Sequence, residues 1–221
     1  MPDVHAKLSA SGAKKWMHCP GSVVLEAAFP DQTSSYAQEG TTAHSLGEAK
    51  IRLATKELTK AKYAKAIREL EITEEMEEYT DRYRDFVLER YHAAKAKSAD
   101  AVLLLEQRLD FSRWVPDGFG TGDCVIVAEG YMEVIDLKYG AGVVVPVEGN
   151  PQLLLYALGA CEAWDYLYGI QEVTMTIYQP RRDNISTDTV YADELYTWAD
   201  LVAERAALAN SGTEECVAGP H

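Results

Sequence analysis

The stretch GTGDCVIVAEGYMEVIDLKYG, residues 120–140, decides the fold because it encodes two strands joined by a tight turn. Two runs rich in valine and isoleucine flank Glu129-Gly130, a dipeptide that suits a two-residue hairpin turn. Counting outward from that turn along both strands places Asp123 opposite Asp136. Directly opposed residues of an antiparallel pair share a face of the sheet, with Cβ atoms roughly 4.5–5.5 Å apart. The hairpin therefore predicts two carboxylates that lie side by side.

Two neighbouring carboxylates require a compensating cation, because like charges directly opposite one another destabilise a sheet. Lys138 lies two residues beyond Asp136 and therefore on the same face. A divalent metal ion would offset the two acids, and Mg²⁺ takes one or two carboxylates together with water and phosphate oxygens. The alternative is a cross-strand salt-bridge cluster at the edge of the sheet. The apolar flanks favour the metal site, since burying three charges without a function is costly.

The composition is that of a globular protein. The 221 residues are enough for one domain with a substantial core, and 47% of them are apolar. No apolar run approaches the roughly 17–25 residues that cross a bilayer, and the N-terminus does not read as a signal segment. We therefore expect a soluble cytoplasmic protein without a membrane partner. The four cysteines are widely spaced and form no CxxC pair, which argues against a secreted disulfide framework.

The net charge of −14 argues against general affinity for nucleic acid, but the charge is unevenly distributed. Residues 49–68 hold seven basic side chains and one acid, whereas residues 69–85 hold eight acids and two arginines. Two solvated helix faces would explain both runs. Alternatively, the basic run would lie along a phosphate backbone, with Lys56 and Lys60 among its contacts.

Helical patterns dominate the first hundred residues, and strands begin after Asp100. Apolar periodicity and capping residues predict helices over about 9–19, 35–56 and 73–91. Beyond them the sequence predicts three strands, a helix, two strands and a closing helix capped by Asp193. This order indicates an α/β domain with a helical N-terminal layer.

These features together resemble the PD-(D/E)XK nuclease superfamily, in which an acid, a β-turn and the pattern hydrophobic–Asp–x–Lys form the catalytic hairpin. Three further segments resemble its RecB-like branch: YAQEGTTAHSLGEAK with His44, NPQLLLYALGA with Gln152 and Tyr156, and LSASGAKKWMHCPGS with Cys19. The chain is most similar to a phage- and prophage-encoded family related to the CRISPR adaptation nucleases. The resemblance implies a restriction-endonuclease-like fold: a mixed central sheet flanked by helices, with a helical N-terminal layer.

The resemblance also implies one RecB-like nuclease domain over residues 1–221, with a mainly helical layer at 1–99 and the sheet core with the catalytic residues at 100–210. The implied activity is metal-dependent hydrolysis of DNA, as an exonuclease in phage recombination or replication inside a bacterial host. DNA would be bound without regard to sequence, and a phage recombination protein is an expected partner. A catalytically inactive nuclease fold that binds DNA or protein is the alternative, and a phosphoesterase for small substrates is a third.

The implied site residues follow the family pattern. His44, Asp123, Asp136 and the carbonyl of Leu137 would bind Mg²⁺ or Mn²⁺, and Lys138 would position or activate the attacking water. The metal would polarise the scissile phosphate and lower the pKa of a bound water.

Three further residues have supporting roles under the same resemblance. Glu48 lies one helical turn after His44 and would accept a hydrogen bond from its ring. Gln152 and Tyr156 share a helix face and would contact phosphate or hold the attacking water. Packing of Tyr156 in the core, with Gln152 on the surface, is an equally good explanation of that pair.

The segment QPRRDN, residues 179–184, has a counterpart in the phage family. Arg181 and Arg182 would clamp a DNA phosphate, or else pair with nearby acids. Cys19 matches the N-terminal ligand of that family's iron–sulfur cluster, but the closely spaced C-terminal cysteines are missing from this sequence. We therefore expect no iron–sulfur cluster in the chain as given.

Overall fold

The computed structural model describes residues 6–29 and 35–219. Within these ranges most of the helices precede a block of three strands, and one further helix separates that block from the last two strands. The helices are α1 Ala13–His18, α2 Ser22–Ala27, α3 Ser35–Ala54, α4 Lys60–Ala66, α5 Glu74–Lys97, α6 Pro151–Tyr168 and α7 Ala192–Ser211. The strands are β1 Val102–Asp110, β2 Phe119–Ala128, β3 Tyr131–Leu137, β4 Glu172–Gln179 and β5 Asn184–Tyr191, with a 3₁₀ turn at Pro180–Arg182.

The five strands form one mixed sheet in the order β1-β2-β3-β4-β5. Neighbouring strands run antiparallel except for β3 and β4, which are parallel. A parallel pair needs a crossover connection, and α6 supplies it. The predicted fold class is thus confirmed: the protein has a mixed central sheet flanked by helices, consistent with a restriction-endonuclease-like fold.

The hairpin of β2 and β3 has the predicted register. Its pairs run from Ala128 opposite Tyr131 to Cys124 opposite Ile135, and Gly130 in the turn has a φ of 72°. Glycine adopts this left-handed conformation readily because it has no Cβ. The next position outward on each strand holds one of the two hairpin acids. The turn therefore brings the acids to the same end of the hairpin.

Helices cover both faces of the sheet. One face packs against α1, α6 and α7 around a core that includes Val134 of β3. The other face packs against α3 and α5 around a core that includes Ile135. Successive side chains of a strand alternate between faces, so Asp136 and Lys138 follow Val134 toward α6. This places the charged end of β3 beside the first turn of α6.

At one position, β1 and β2 both break the regular alternation of side chains between the two faces of the sheet. Leu105 and Cys124 pack on the α5 side, whereas Leu109 packs on the α6 side and Gly120 lies against an α6 tyrosine, although regular alternation would keep all four together. The regular pairing skips one residue on each strand there, and on β1 that residue is Glu106. Its φ of 48° is uncommon outside glycine. The sheet is therefore locally distorted where the two strands carry acids.

Two of the long helices begin directly after residues that are well suited to cap a helix. Thr73 caps α5 and Asn150 caps α6, each through a side-chain oxygen that accepts from backbone N–H groups. The prediction that Asp193 caps α7 is wrong, because it is the second residue of that helix and Glu194 accepts from the N–H of Tyr191. Helices α2 and α4 were not predicted, since six or seven residues are too few to establish a helical period. Among the described helices, none has both the length and the apolar character needed to cross a membrane.

Candidate metal centre

Asp123 occupies the middle of the candidate metal centre and is fixed at both carboxylate oxygens. His44 Nδ1 lies 3.0 Å from Oδ1, and the backbone N–H of Leu137 donates to Oδ2 over 2.7 Å. Helix α3 supplies the imidazole and β3 supplies the backbone donor. The structure thus joins groups from α3, β2 and β3 at one carboxylate.

Glu106 of β1 completes a cluster of three side chains. One ligand atom from each of His44, Glu106 and Asp123 lies within 4.8 Å of the others. These residues line a cavity of about 10 Å³, close to the volume that a single water-sized particle requires. The side chains are partly exposed, so solvent reaches the cluster. The arrangement suits one small cation.

Asp136 is close enough to Asp123 and His44 for their charges to affect its pKa, and it is buried, with only 3% of its surface exposed. Its Oδ1 accepts from Gln152 Nε2 over 3.1 Å, but its Oδ2 has no well-directed hydrogen bond within the described residues. Lys138 Nζ approaches Oδ2 to 2.9 Å, yet its hydrogen bond, also 2.9 Å long, goes to Gln152 Oε1. A buried carboxylate oxygen in this state retains a lone pair for a metal ion.

Gln152 and Tyr156 lie one turn apart on α6 and share a hydrogen bond of 3.2 Å from Nε2 to the phenol oxygen. The tyrosine ring packs on Gly120 of β2, where an added Cβ would lie 2.6 Å from Cε1. Burial raises the pKa of Tyr156, so the phenol stays protonated. Gln152 contacts both Asp136 and Lys138 and is half-buried, while Tyr156 is buried behind it.

The pKa values of three groups reflect how closely the charges lie together. Burial acts to lower the pKa of His44, but the attraction of Asp123, with smaller contributions from Asp136 and Glu106, raises it to about 9. Burial raises the pKa of Glu106 to about 7, assisted by the charge of Asp123. Burial also raises the pKa of Asp136 to about 6, against the opposing effect of Lys138. Near neutral pH the group therefore retains protons that a metal ion would displace.

The donor set fits a hard divalent cation. Carboxylate oxygens and a single imidazole nitrogen are ligands that Mg²⁺ and Mn²⁺ accept in proteins. His44, Glu106 and Asp123 would hold the ion, and Asp136 lies outside this three-residue cluster, with its Oδ2 paired with Lys138. An ion there would also offset the repulsion that raises the pKa values of the acids.

Glu48 does not hold the ring of His44, in contrast to the expectation from sequence. Its Oε1 accepts from Arg52 Nε over 2.7 Å, and Arg52 also donates to the carbonyl of Leu105. Arg52 lies one further turn along α3, and its full positive charge competes for the carboxylate. Asp123 is the acceptor for the imidazole instead.

Arg181 is held by protein acids. Its guanidinium lies 3.0 Å from carboxylate oxygens of both Glu39 and Glu75, and it covers the ring of Tyr139. These contacts link the 3₁₀ turn to α3 and α5, which favours the acid-pair alternative for this residue. Its neighbour Arg182 is exposed.

The basic and acidic runs meet at one point. Lys50 is buried, and its Nζ lies 3.0 Å from Asp81 and 2.5 Å from Glu77. Lys56 and Lys60 are exposed and are not among the residues that line the metal cavity. Their contact with DNA stays a prediction, whereas Lys50 contributes to the packing of α3 on α5.

Cys19 and Cys216 lie together where the end of α1 meets the C-terminal segment. The buried thiol of Cys19 accepts a hydrogen bond from the N–H of Val217 over 3.1 Å. Gly21 permits this approach, because a Cβ there would lie 2.6 Å from the carbonyl oxygen of Glu214. The other two cysteines are buried in β2 and α6.

Glu106 is absent from the site residues predicted from the sequence. The sequence signal that could have identified it is the presence of an acid within the apolar run AVLLLEQRL, residues 101–109. That run resembles the acid-bearing strands of the hairpin, but the loop 111–118 separates it from β2. A loop of this length does not fix a strand register, so the position opposite Asp123 emerges only from the assembled sheet.

Comparison with known proteins places the chain in a family. Among solved structures, the crystal structure of SSO0001 has a TM-score of 0.31 and 12% identity, covering 92% of this chain and 87% of that chain. An alkaline exonuclease (LHK-Exo) from Laribacter hongkongensis has a TM-score of 0.32 and 15% identity, covering 78% of this chain and 93% of that chain. Both TM-scores are low, so neither likeness carries a function to this chain. A family model described as "Protein of unknown function (DUF2800)" matches residues 5–221, and the chain therefore belongs to the DUF2800 family.

Proposed function

We propose that this protein is a metal-dependent nuclease that hydrolyses phosphodiester bonds of DNA. The observation that carries the proposal is the convergence of ligand atoms of His44, Glu106 and Asp123 within 4.8 Å, together with a buried Asp136 whose Oδ2 lies 2.9 Å from the Lys138 ammonium. Metal ligands with an adjacent cation are the groups that hydrolysis of a phosphate ester requires.

A divalent ion bound by these residues would polarise a phosphate oxygen and lower the pKa of a bound water. The remaining work falls to the protein's own groups. Lys138 offsets the negative charge that builds up on the phosphate as the leaving P–O bond breaks. Gln152 holds both partners, because its carbonyl oxygen accepts from Lys138 and its amide donates to Asp136. This double contact keeps the ammonium and the acid at a fixed separation during the reaction.

Within this proposal the protein is an exonuclease of the RecB-like branch of the PD-(D/E)XK superfamily, built as a single nuclease domain, that acts in phage recombination or replication. The order of strands and the hairpin with its Asp-x-Lys sequence support this assignment. The contact of Gln152 with Asp136, and the hydrogen bond from Gln152 to Tyr156, add to it, because both residues belong to the segment that resembles this branch.

The proposal is tested with DNA labelled at either the 5′ or the 3′ end, single- or double-stranded, in Mg²⁺, Mn²⁺ or EDTA. We expect the chain to degrade DNA in a divalent ion and to be inactive in EDTA. Asp136→Asn and Lys138→Ala should abolish degradation, whereas Asp117→Asn, an exposed loop aspartate, should retain it. Stepwise loss from one labelled end would support an exonuclease.

Two results would contradict the proposal. One is a folded chain that degrades no DNA with either ion, in which case retained binding would favour an interaction module. The other is full activity of Asp136→Asn, which would trace the degradation to a contaminant or to a different site.

A further inference from the structure

A groove beside the metal centre, here called the α1–α7 groove, has a volume of about 770 Å³. Side chains of α1 and α7 line it together with the loop between β3 and α6. Lys138 and Gln152 of the metal centre also line it. The groove therefore reaches from the surface to Lys138 and Gln152, the two side chains that contact Asp136.

The groove is locally basic in a chain whose net charge is −14. Lys14 of α1, Arg205 of α7 and Lys138 line it, against the single carboxylate of Glu148. Within residues 6–29 and 35–219, neither Lys14 nor Arg205 forms an ion pair, whereas Arg52 and many other cations are held by acids. Two cations without acid partners beside a site for phosphate chemistry are suited to bind further phosphates of the same strand.

Apolar and aromatic side chains form much of the remaining surface. Trp198 of α7 lines the groove, and so do Val143 and Val144, which are 83% and 50% exposed. Exposed valines next to an indole ring and cations form a mixed surface that is typical of grooves for single nucleic-acid strands. In such grooves bases stack on aromatic rings while cations follow the backbone.

The size of the groove favours one strand. Its volume lies within the range of about 300–1,000 Å³ that encloses drug-sized ligands, which is the scale of one or two nucleotides. A duplex carries a second strand, which a groove of this volume has no room to enclose. Stacking on Trp198 would require a base splayed out from its neighbours, as a single strand allows.

From these observations we infer that the α1–α7 groove binds single-stranded DNA and guides its backbone to the metal centre. The choice of DNA rests on the proposed nuclease function. Lys14 and Arg205 contact phosphates, and Trp198 stacks on a base. Lys138 receives the phosphate that is to be hydrolysed.

The inference is tested by the fluorescence anisotropy of a labelled oligothymidylate in EDTA, where no hydrolysis occurs. We expect Lys14→Ala/Arg205→Ala to weaken binding roughly tenfold or more, since two charge-assisted contacts are lost. The slope of log affinity against log salt should fall in magnitude by about 1.4, or about 0.7 per contact. Arg82→Ala/Lys97→Ala removes the same charge from α5 on the opposite face of the sheet and should bind like the unmodified chain.

Trp198 is examined in the same assay with two substitutions. Trp198→Ala should weaken binding roughly 5- to 150-fold, the range for loss of base stacking. Trp198→Phe should restore most of the affinity, because a phenyl ring also stacks on a base. A loss of affinity in both variants while both remain folded would overturn the stacking role.

The remaining results distinguish single-stranded DNA from other nucleic acids as the ligand of the groove. They also test the groove separately from the proposed nuclease function. Tighter binding of duplex DNA or of RNA than of single-stranded DNA, or equal losses in Arg82→Ala/Lys97→Ala, would overturn the inference. DNA degradation that proceeds with an unchanged KM in Lys14→Ala/Arg205→Ala would also overturn it and leave the nuclease function standing. Groove-dependent binding without degradation in any metal would support the groove and contradict the nuclease function.

Discussion

His44 Nδ1 and Asp123 Oδ1 lie 3.0 Å apart, which joins α3 to β2 across 79 positions of the sequence. The other oxygen of Asp123 accepts from the N–H of Leu137, so this one carboxylate links the imidazole to the backbone of β3. A substitution at any of the three therefore disturbs the other two. Substitution of single acids can therefore distinguish those that serve the site from those that serve the fold.

Glu106→Gln should weaken metal binding and stabilise the metal-free protein. The substitution removes a ligand from the three-residue cluster, and we expect affinity for Mn²⁺ to fall at least roughly tenfold by calorimetric titration. It also removes a charge that repels Asp123, so the melting temperature in EDTA at pH 8 should rise. Glu129→Gln, at the exposed turn of the hairpin, is the matched control and should change neither quantity. An unchanged affinity for Mn²⁺ would remove Glu106 from the metal centre.

The stability of the metal-free protein should fall as pH rises from about 4 to about 9. The pKa is raised from 4.5 to about 7 for Glu106, from 3.8 to about 6 for Asp136 and from 6.5 to about 9 for His44. These three groups thus bind more protons in the folded chain than in the unfolded chain throughout this interval, and their contribution to stability decreases with pH wherever that holds.

Mg²⁺ should counteract this loss, because the ion binds the deprotonated side chains. The difference in melting temperature between Mg²⁺ and EDTA should therefore increase from pH 5 to pH 9, as measured by scanning calorimetry. Glu106→Gln should show a shallower pH dependence in EDTA. A difference that is constant with pH would contradict the link between these protons and the metal.

Gly120→Ala should impair activity through Tyr156. The added Cβ would lie 2.6 Å from Cε1 of the buried ring, so the tyrosine must move and its hydrogen bond with Gln152 must weaken. We expect a loss of about 1–3 kcal/mol in the free energy of unfolding, the usual cost of overpacking. We also expect a lower kcat, because Gln152 no longer holds Lys138 and Asp136 in register. Gly140→Ala, where the Cβ would meet open space, is the control.

Glu133→Gln should have the opposite signature to Glu106→Gln. Glu133 is 1% exposed, and its carboxylate accepts from Arg90 over 2.8 Å and from Tyr131 and Thr176 over 3.1 and 2.9 Å. All of these bonds are satisfied by the protein, so the acid serves the fold. Removing its charge should cost about 1.5–3 kcal/mol of stability by urea unfolding while affinity for Mn²⁺ is kept. A loss of metal binding in this variant would show that Glu133 is coupled to the site.

The sequence predicts the hairpin well because its register depends on a two-residue turn, and both hairpin acids follow from counting outward from that turn. The long helices are predictable for a similar reason, since Thr73 and Asn150 cap the helices that follow them. Glu106 could not be found in this way, because its position depends on a pairing across a longer loop. The partners of Arg181 are equally non-local, since Glu39 and Glu75 lie on two other helices.

The left-handed backbone at Glu106 has a consequence for how this family can change. A non-glycine residue in that conformation carries a strain of about 1–3 kcal/mol, and the strand would relax most easily if glycine replaced the acid. The most stable sheet is then one that lacks the Glu106 carboxylate as a metal ligand. Selection for thermal stability would therefore favour glycine at this position, whereas selection for metal binding would favour the acid. We expect a relative with glycine at this position to have a higher melting temperature and a lower rate of DNA hydrolysis.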